Sequence, residues 1–122
     1  ANPKIHIVTH VIFGLPGETE VDMLQTVKDV VNAKSDGIKI TSLYILKDTD
    51  LATDYFSKKF EPIEMDEYFN LIEKALKIIP ENMIIHRLTG DPPKNLLIKP
   101  TWTTDKKRTL NIVNNLLSKR EL

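Results

Sequence analysis

The chain has no cysteine among its 122 residues. That excludes disulfides, a thiol nucleophile and any metal cluster held on cysteine within these residues. It has no excess of charge of either sign, with 17 Lys and Arg against 17 Asp and Glu. Bulk electrostatics therefore does not indicate nucleic acid or an anionic membrane as partner. No apolar run approaches the roughly 20 residues needed to span a bilayer. No signal peptide opens the chain, so a cytoplasmic location is the expectation. The three histidines, His6, His10 and His86, have no close ligand spacing, so no protein-held zinc or other metal is expected. There is no internal repeat and no low-complexity tract. There is also no initiating methionine, and a strand pattern begins almost at once, which leads us to expect a piece of a longer protein.

The remaining composition, 41% apolar and 28% charged, is that of one modest globular domain. Glycine is scarce, and two of the four glycines fall in one short stretch, Thr9-His10-Val11-Ile12-Phe13-Gly14-Leu15-Pro16-Gly17-Glu18-Thr19. An apolar β-branched run stops there, a tight loop follows, and a helix starts. In a parallel α/β sheet, ligands bind outside such strand ends. Gly14 and Gly17 can take positive φ or allow close backbone approach. The free N–H groups of the next helix suit a carboxylate or phosphate. A purely structural loop is the competing reading. No Gly-Lys-Ser/Thr follows and no Gly-x-Gly-x-x-Gly is present, so neither a phosphate loop nor a dinucleotide fingerprint is implied.

The pattern predicts the following order. Ile5–Phe13 reads as a strand buried on both faces. A helix follows, capped by Thr19 with Asp22 as capping-box partner, with Val21, Leu24, Val27 and Val31 inside. Gly37 is expected to end the turn after it in the left-handed conformation. Ile38–Leu46 reads as a second strand, and strand–helix–strand implies a right-handed crossover. Thr49 or Asp50 caps a short helix. Met65–Ile79 is amphipathic, with Tyr68, Phe69, Ile72, Ala75, Leu76 and Ile79 inside. Met83–Leu88 is a third strand, and Leu96–Ile98 extends or covers the sheet. Thr104 caps a last helix with Leu110, Val113, Leu116 and Leu117 inside.

Polar residues within these strands are the candidate substrate-side groups: His10, Lys39, His86 and Arg87. His10 is either a neutral imidazole hydrogen-bonded in the core or a ligand contact. Lys39 and Thr41 share one parity of the second strand, Ser42 and Tyr44 the other, and the pattern does not say which faces a site. Arg87 either clamps an anion in bidentate fashion or pairs with Asp91 to steady a turn.

Val11–Thr19, Asp36-Gly37-Ile38-Lys39-Ile40 with Leu46-Lys47, and above all Ile85-His86-Arg87-Leu88-Thr89-Gly90-Asp91-Pro92 resemble the uncharacterised bacterial radical SAM Fe–S oxidoreductase family. That family is related to the Elongator catalytic subunit and, through the glycine loop, to oxygen-independent coproporphyrinogen oxidase. The resemblance spans nearly the whole chain. It implies an α/β fold, the C-terminal part of an open (β/α)6 partial TIM barrel with a C-terminal extension. Residues 1–60 would be the last two strand–helix units, and residues 61–122 a helix–strand–helix extension packed on them. In the family's Gly-x-Ile-x-Gly-x-x-Glu motif the Ile touches adenine. Ile12 and Gly14 match its Ile and second Gly, His10 stands at the first Gly, and Glu18 is shifted by one residue. The resemblance thus implies cofactor contacts at Ile12, Gly14, Leu15, Gly17 and, at the next strand end, Leu46. It implies S-adenosylmethionine and a 4Fe–4S cluster in a parent that cleaves S-adenosylmethionine reductively. No cofactor is expected on this chain alone. The expected partners are the missing N-terminal half of the barrel or, through the apolar first strand, a second copy in a homodimer. A stand-alone α/β binding or interaction domain is the alternative.

Overall fold

The computed structural model describes residues 5–121, with side chains described through residue 119. β1 (Val8–Phe13), α1 (Glu20–Asn32) and β2 (Gly37–Ser42) form the expected crossover unit, with β1 and β2 parallel and in register from Val8 opposite Gly37 to Phe13 opposite Ser42. The third parallel strand, β4 (Ile84–Arg87), pairs with β2, giving the order β1-β2-β4. Between them lie β3 (Ile45–Leu46), α2 (Asp50–Phe56) and α3 (Met65–Ile78). After β4 come β5 (Leu97–Lys99), a 3-10 turn (Thr101–Thr104) and α4 (Lys106–Glu121).

The helix starts follow from local chemistry. Thr19 accepts from the Asp22 amide at 3.2 Å and Asp22 accepts from the Thr19 amide at 3.0 Å, a complete capping box. Thr49 accepts from the Ala52 amide and caps α2. The last helix begins after Asp105, which accepts from the Arg108 amide, rather than at Thr104, which closes the 3-10 turn. The turn after α1 uses Lys34 at φ 58°, not Gly37, which lies in β2.

Helices cover one face of the three-stranded sheet. Val11, Phe13, Ile38 and Ile40 pack against α1 and α3. Tyr68, Phe69, Ile72, Ala75, Leu76 and Ile79 fill that core, as the α3 periodicity predicts, and Leu71, outside that prediction, is buried with them. α1 presents Met23, Val27 and Val30 instead of Val21, which is 75% exposed. The α1 stripe is therefore rotated from the one read in sequence. α4 adds Val113 and Leu116, while Leu110 lies outside. On the other face Val8, His10 and Ile12 of β1 are exposed, whereas Thr41 of β2 is only 4% exposed and lies beside Gly90 and Tyr44. β1 is thus not buried on both faces.

The run Ile38–Leu46 is not one strand. β2 ends at Ser42, and Ile45–Leu46 leaves the sheet to pair antiparallel with β5. Leu97 and Ile98 therefore belong to a separate two-stranded sheet. Trp102, in the turn after β5, donates its indole N–H to the Ile63 carbonyl at 3.1 Å and stacks on Tyr68 and Phe69.

Tyr68 ties the layers together. Its ring is fully buried, and its hydroxyl lies 2.6 Å from the Leu88 carbonyl and 3.2 Å from that of Ile40. Burial holds its phenol well above the ordinary tyrosine range, so it stays a donor. Removing the hydroxyl strands two buried carbonyls, which costs about 1–3 kcal/mol. Tyr68→Phe should lower unfolding free energy in urea by that amount and speed amide exchange at the ends of β2 and β4. An unchanged urea midpoint would count against this role.

Candidate functional site: the strand exits and the open sheet face

The parallel strands deliver their C-terminal ends to one edge of the molecule. β1 exits into Gly14–Glu18. The Leu43 amide donates to the Phe13 carbonyl at 2.9 Å, holding the exit of β2 beside that of β1. Gly14 adopts φ 96°, and its amide points at the Met23 sulfur, 3.3 Å away. A Cβ at Gly14 would sit 3.1 Å from Ile63 Cγ2. Leu15-Pro16-Gly17-Glu18 closes with the Glu18 amide on the Leu15 carbonyl at 3.1 Å, and Gly17 takes φ 83°. Pro at the second position and a positive-φ Gly at the third are the marks of a type II turn. Nothing lies within 4 Å of where a Gly17 Cβ would be, so the backbone angle alone demands glycine there.

The loop faces a cleft of about 530 Å³ whose far wall is Lys59–Glu64. Its rim includes Glu18, Glu61, Glu64 and Glu67 against Lys59. The start of α1 is already satisfied by Thr19 and Asp22, and Glu20 pairs with Lys74. The cap takes the Asp22 amide and the surroundings are acidic, which disfavours the expected carboxylate or phosphate at this helix end.

Strand alternation places Val8, His10 and Ile12 on the open face beside Lys39 and Thr41, which settles the parity of β2. Ser42 faces the helices, where its hydroxyl is buried without a partner. His10 Nε2 lies 2.8 Å from Thr41 Oγ1. Desolvation and then the Lys39 ammonium lower the His10 pKa, although much of the ring is exposed. Ile12 is 36% exposed, and Leu15 stands out from the loop at 41%. Leu46 is half-buried in β3, beyond the end of β2 and in the other sheet.

His86 and Arg87 do not join His10. The His86 ring covers Gly37, where an added Cβ would lie 2.6 Å from its Cδ2, and its Nε2 is 3.3 Å from His6 Nε2. Gly37 opens β2, so this pair sits at the strands' N-terminal ends, away from the loop. Asp91 pairs with Lys106 at 2.5 Å, not with Arg87, and that contact holds its carboxyl below the usual carboxylate range. Arg87 lines a groove with Lys106, Leu110, Val113 and Leu117 of α4. Sequence reasoning did not single out that groove. Its signal was the run Lys106-Lys107-Arg108 at a helix start. Tyr44 lies over Gly90, and burial pushes its phenol up to about 12.

Among the described residues no group of three or more His, Asp or Glu could hold a metal. No described helix is long and apolar enough to cross a membrane.

The described residues form a mixed α/β unit with a glycine loop at the exit of a parallel strand and an exposed β1 face beside it. The chain belongs to the Radical_SAM C-terminal domain family, whose model matches residues 35–119. It is 40% identical over 95% of its length to the uncharacterized protein YtqA of Bacillus subtilis, covering 36% of that protein. It is 29% identical over 93% of its length to the tRNA-2-methylthio-N(6)-dimethylallyladenosine synthase of Clostridium tetani, covering 26% of it. The chain thus spans about a third of the length of the curated relatives it matches. Its fold is like that of the archaeal Methanocaldococcus infernus Elp3, with TM-score 0.71 and 19% identity over 92% of this chain and 26% of that one. The kinship implied by the Gly-Leu-Pro-Gly-Glu-Thr and His-Arg-Leu-Thr-Gly-Asp stretches is met.

The His10 environment has a pH signature. A lowered folded pKa means that the unfolded chain takes up the proton first. This contribution to stability is present above the ordinary histidine value of about 6.5 and is lost as pH falls from there through the lowered folded value. Lys39→Gln should raise the His10 pKa part of the way back, read from its Hε1 resonance. An unmoved titration would remove Lys39 as a cause.

Proposed function

We propose that this chain is the C-terminal part of a radical SAM Fe–S oxidoreductase, supplying part of the S-adenosylmethionine-binding wall and inactive alone. Family membership supports the class, and the observation that carries the finer reading is the Phe13–Glu18 exit loop opening beside an uncovered, partly polar sheet face. Ile12, Gly14, Leu15 and Gly17 would contact the cofactor, with Leu46 at the outer margin. His10 and Lys39 would face substrate, with His86 and Arg87 further out. A 4Fe–4S cluster does not fit these residues, because such clusters are held by cysteine thiolates and the chain has none. Its ligands would belong to the N-terminal half of the parent barrel. The division near residue 60, the open barrel and the cytoplasmic location belong to the same proposal.

The isolated chain, treated anaerobically with iron, sulfide, reductant and S-adenosylmethionine, should form no 5′-deoxyadenosine above a protein-free control. Cluster-dependent product would falsify the reading. In the full-length parent, Gly14→Ala forces a positive φ on alanine, a strain on the order of 1–3 kcal/mol. It should weaken S-adenosylmethionine binding about tenfold or more while leaving iron content unchanged.

The same reading gives the open face its partner. β1 is hydrogen-bonded on one side only, and Val8, Ile12 and Ile84 are exposed on the uncovered face. An unpaired apolar edge is a template for another chain. In the parent we assign that role to the N-terminal half, and in the isolated chain to a second copy. Light scattering at high concentration should give about twice 14.0 kDa, and Val8→Lys should return it to the monomer. A wild-type monomer at every concentration would dismiss the homodimer.

A further inference from the structure

Two basic features of the C-terminal third meet in one groove, Arg87 and, at the start of α4, Lys106. The first is Arg87. It is exposed at the end of β4 and makes no hydrogen bond or close ion pair among the described residues, although its charge still acts on Asp91, which is paired with Lys106. The second is the start of α4. Lys106, Lys107 and Arg108 fill its first turn, which has no acidic residue. A helix N-terminus already carries a partial positive charge, so cations there are disfavoured. Three in a row break a local rule, offset by the Lys106–Asp91 pair and by Asp105 accepting from the Arg108 amide, and such breaks are expected at functional or strained sites; of the three, Lys106 lines the groove. The charge is also regional. Residues 84–122 hold eight Lys and Arg against three Asp and Glu, the reverse of the rest of the chain.

Between these features lies a groove of about 320 Å³, the size of a small-molecule site. Arg87, Asp91 and Lys106 form its polar rim, and Leu110, Val113 and Leu117 its apolar side. Leu110 is 52% exposed, an apolar surface that the chain itself leaves in water. The rim matches an anionic oxygen pair, which guanidinium binds in bidentate fashion. The wall matches a short hydrocarbon body.

We infer that the groove between β4 and α4 binds a small amphipathic anion, its carboxylate or phosphate on Arg87 and the first turn of α4, its apolar part against Leu110, Val113 and Leu117. The site is separate from the glycine loop and does not depend on the reading of that loop. The Lys106–Asp91 pair forms one lip of the groove and supplies the second cation.

The test is a chemical-shift titration of the isotope-labelled chain at low salt with hexanoate and with hexyl phosphate, and with acetate and inorganic phosphate as tail-less probes. Saturable shifts should appear at the Arg87 side chain, at Thr89–Asp91 and at the methyls of Val113 and Leu117. The tail-less probes should bind at least tenfold more weakly. Stronger binding of hexanoate assigns a carboxylate head, and stronger binding of hexyl phosphate a phosphate head. Arg87→Gln, at an exposed position that should not disturb folding, should weaken binding at least tenfold. Arg87→Lys should restore only part of it, since the ammonium lacks the fork. Lys106→Gln should weaken it less. Shifts centred on Gly14–Glu18, equal binding with and without the tail, wild-type affinity in Arg87→Gln, or no saturable shift would each overturn the site.

Discussion

The architecture depends on one buried hydroxyl. Tyr68 reaches from α3 through the core to the carbonyls of Ile40 and Leu88. It thereby acts on the strand at the centre of the sheet and on the residue where the chain leaves its neighbour. Both carbonyls lie in an apolar interior, where an unmade hydrogen bond is expensive. Phe13, Phe69 and Trp102 surround the ring. The exit of β1, the helix layer and the segment after β5 are therefore all referred to one side chain. The positions of the strand ends, and of whatever they bind, follow from this contact.

Much of this was legible in the sequence where a local signal had one physical meaning. The Thr19–Asp22 box, the α3 stripe and the crossover unit are of that kind, whereas the cap of α2 stood open between Thr49 and Asp50 and falls to Thr49. Gly14 and Gly17 also announced themselves, since Pro16 between them leaves few turn geometries. The misreadings share a cause: long-range neighbours override local pattern. Ile38–Leu46 is continuously apolar or β-branched, yet it breaks at Leu43 because Ile45–Leu46 finds another partner in β5. Val21 has helical spacing, but the packing of α1 on α3 selects Met23 instead. Gly37 looks like a helix stop, yet its lack of a side chain serves the His86 ring, 49 positions away in the chain.

The candidate sites divide in the same way. The glycine loop could be found because its conformation is written in backbone angles that favour glycine. The parity of Lys39 and Thr41 could not, since it depends on which face the helices cover. Arg87 could be read as a clamp or as the partner of Asp91. The choice was made by Lys106, whose relation to Asp91 depends on where α4 docks.

Tyr44 and Gly90 carry an evolutionary consequence. A Cβ at Gly90 would lie 1.7 Å from the Tyr44 hydroxyl oxygen and 2.8 Å from the ring carbon that bears it. That hydroxyl has no well-aligned hydrogen bond, so the contact is steric more than polar. Any side chain at residue 90 demands a smaller one at residue 44, whereas residue 44 can shrink while the glycine is kept. Among relatives these two sites should change as a linked pair, with the order of substitution fixed, the tyrosine shrinking before the glycine grows. In a lineage that keeps the tyrosine, the glycine is held in place by the shape of a ring far from it in the chain, independently of any chemistry performed there.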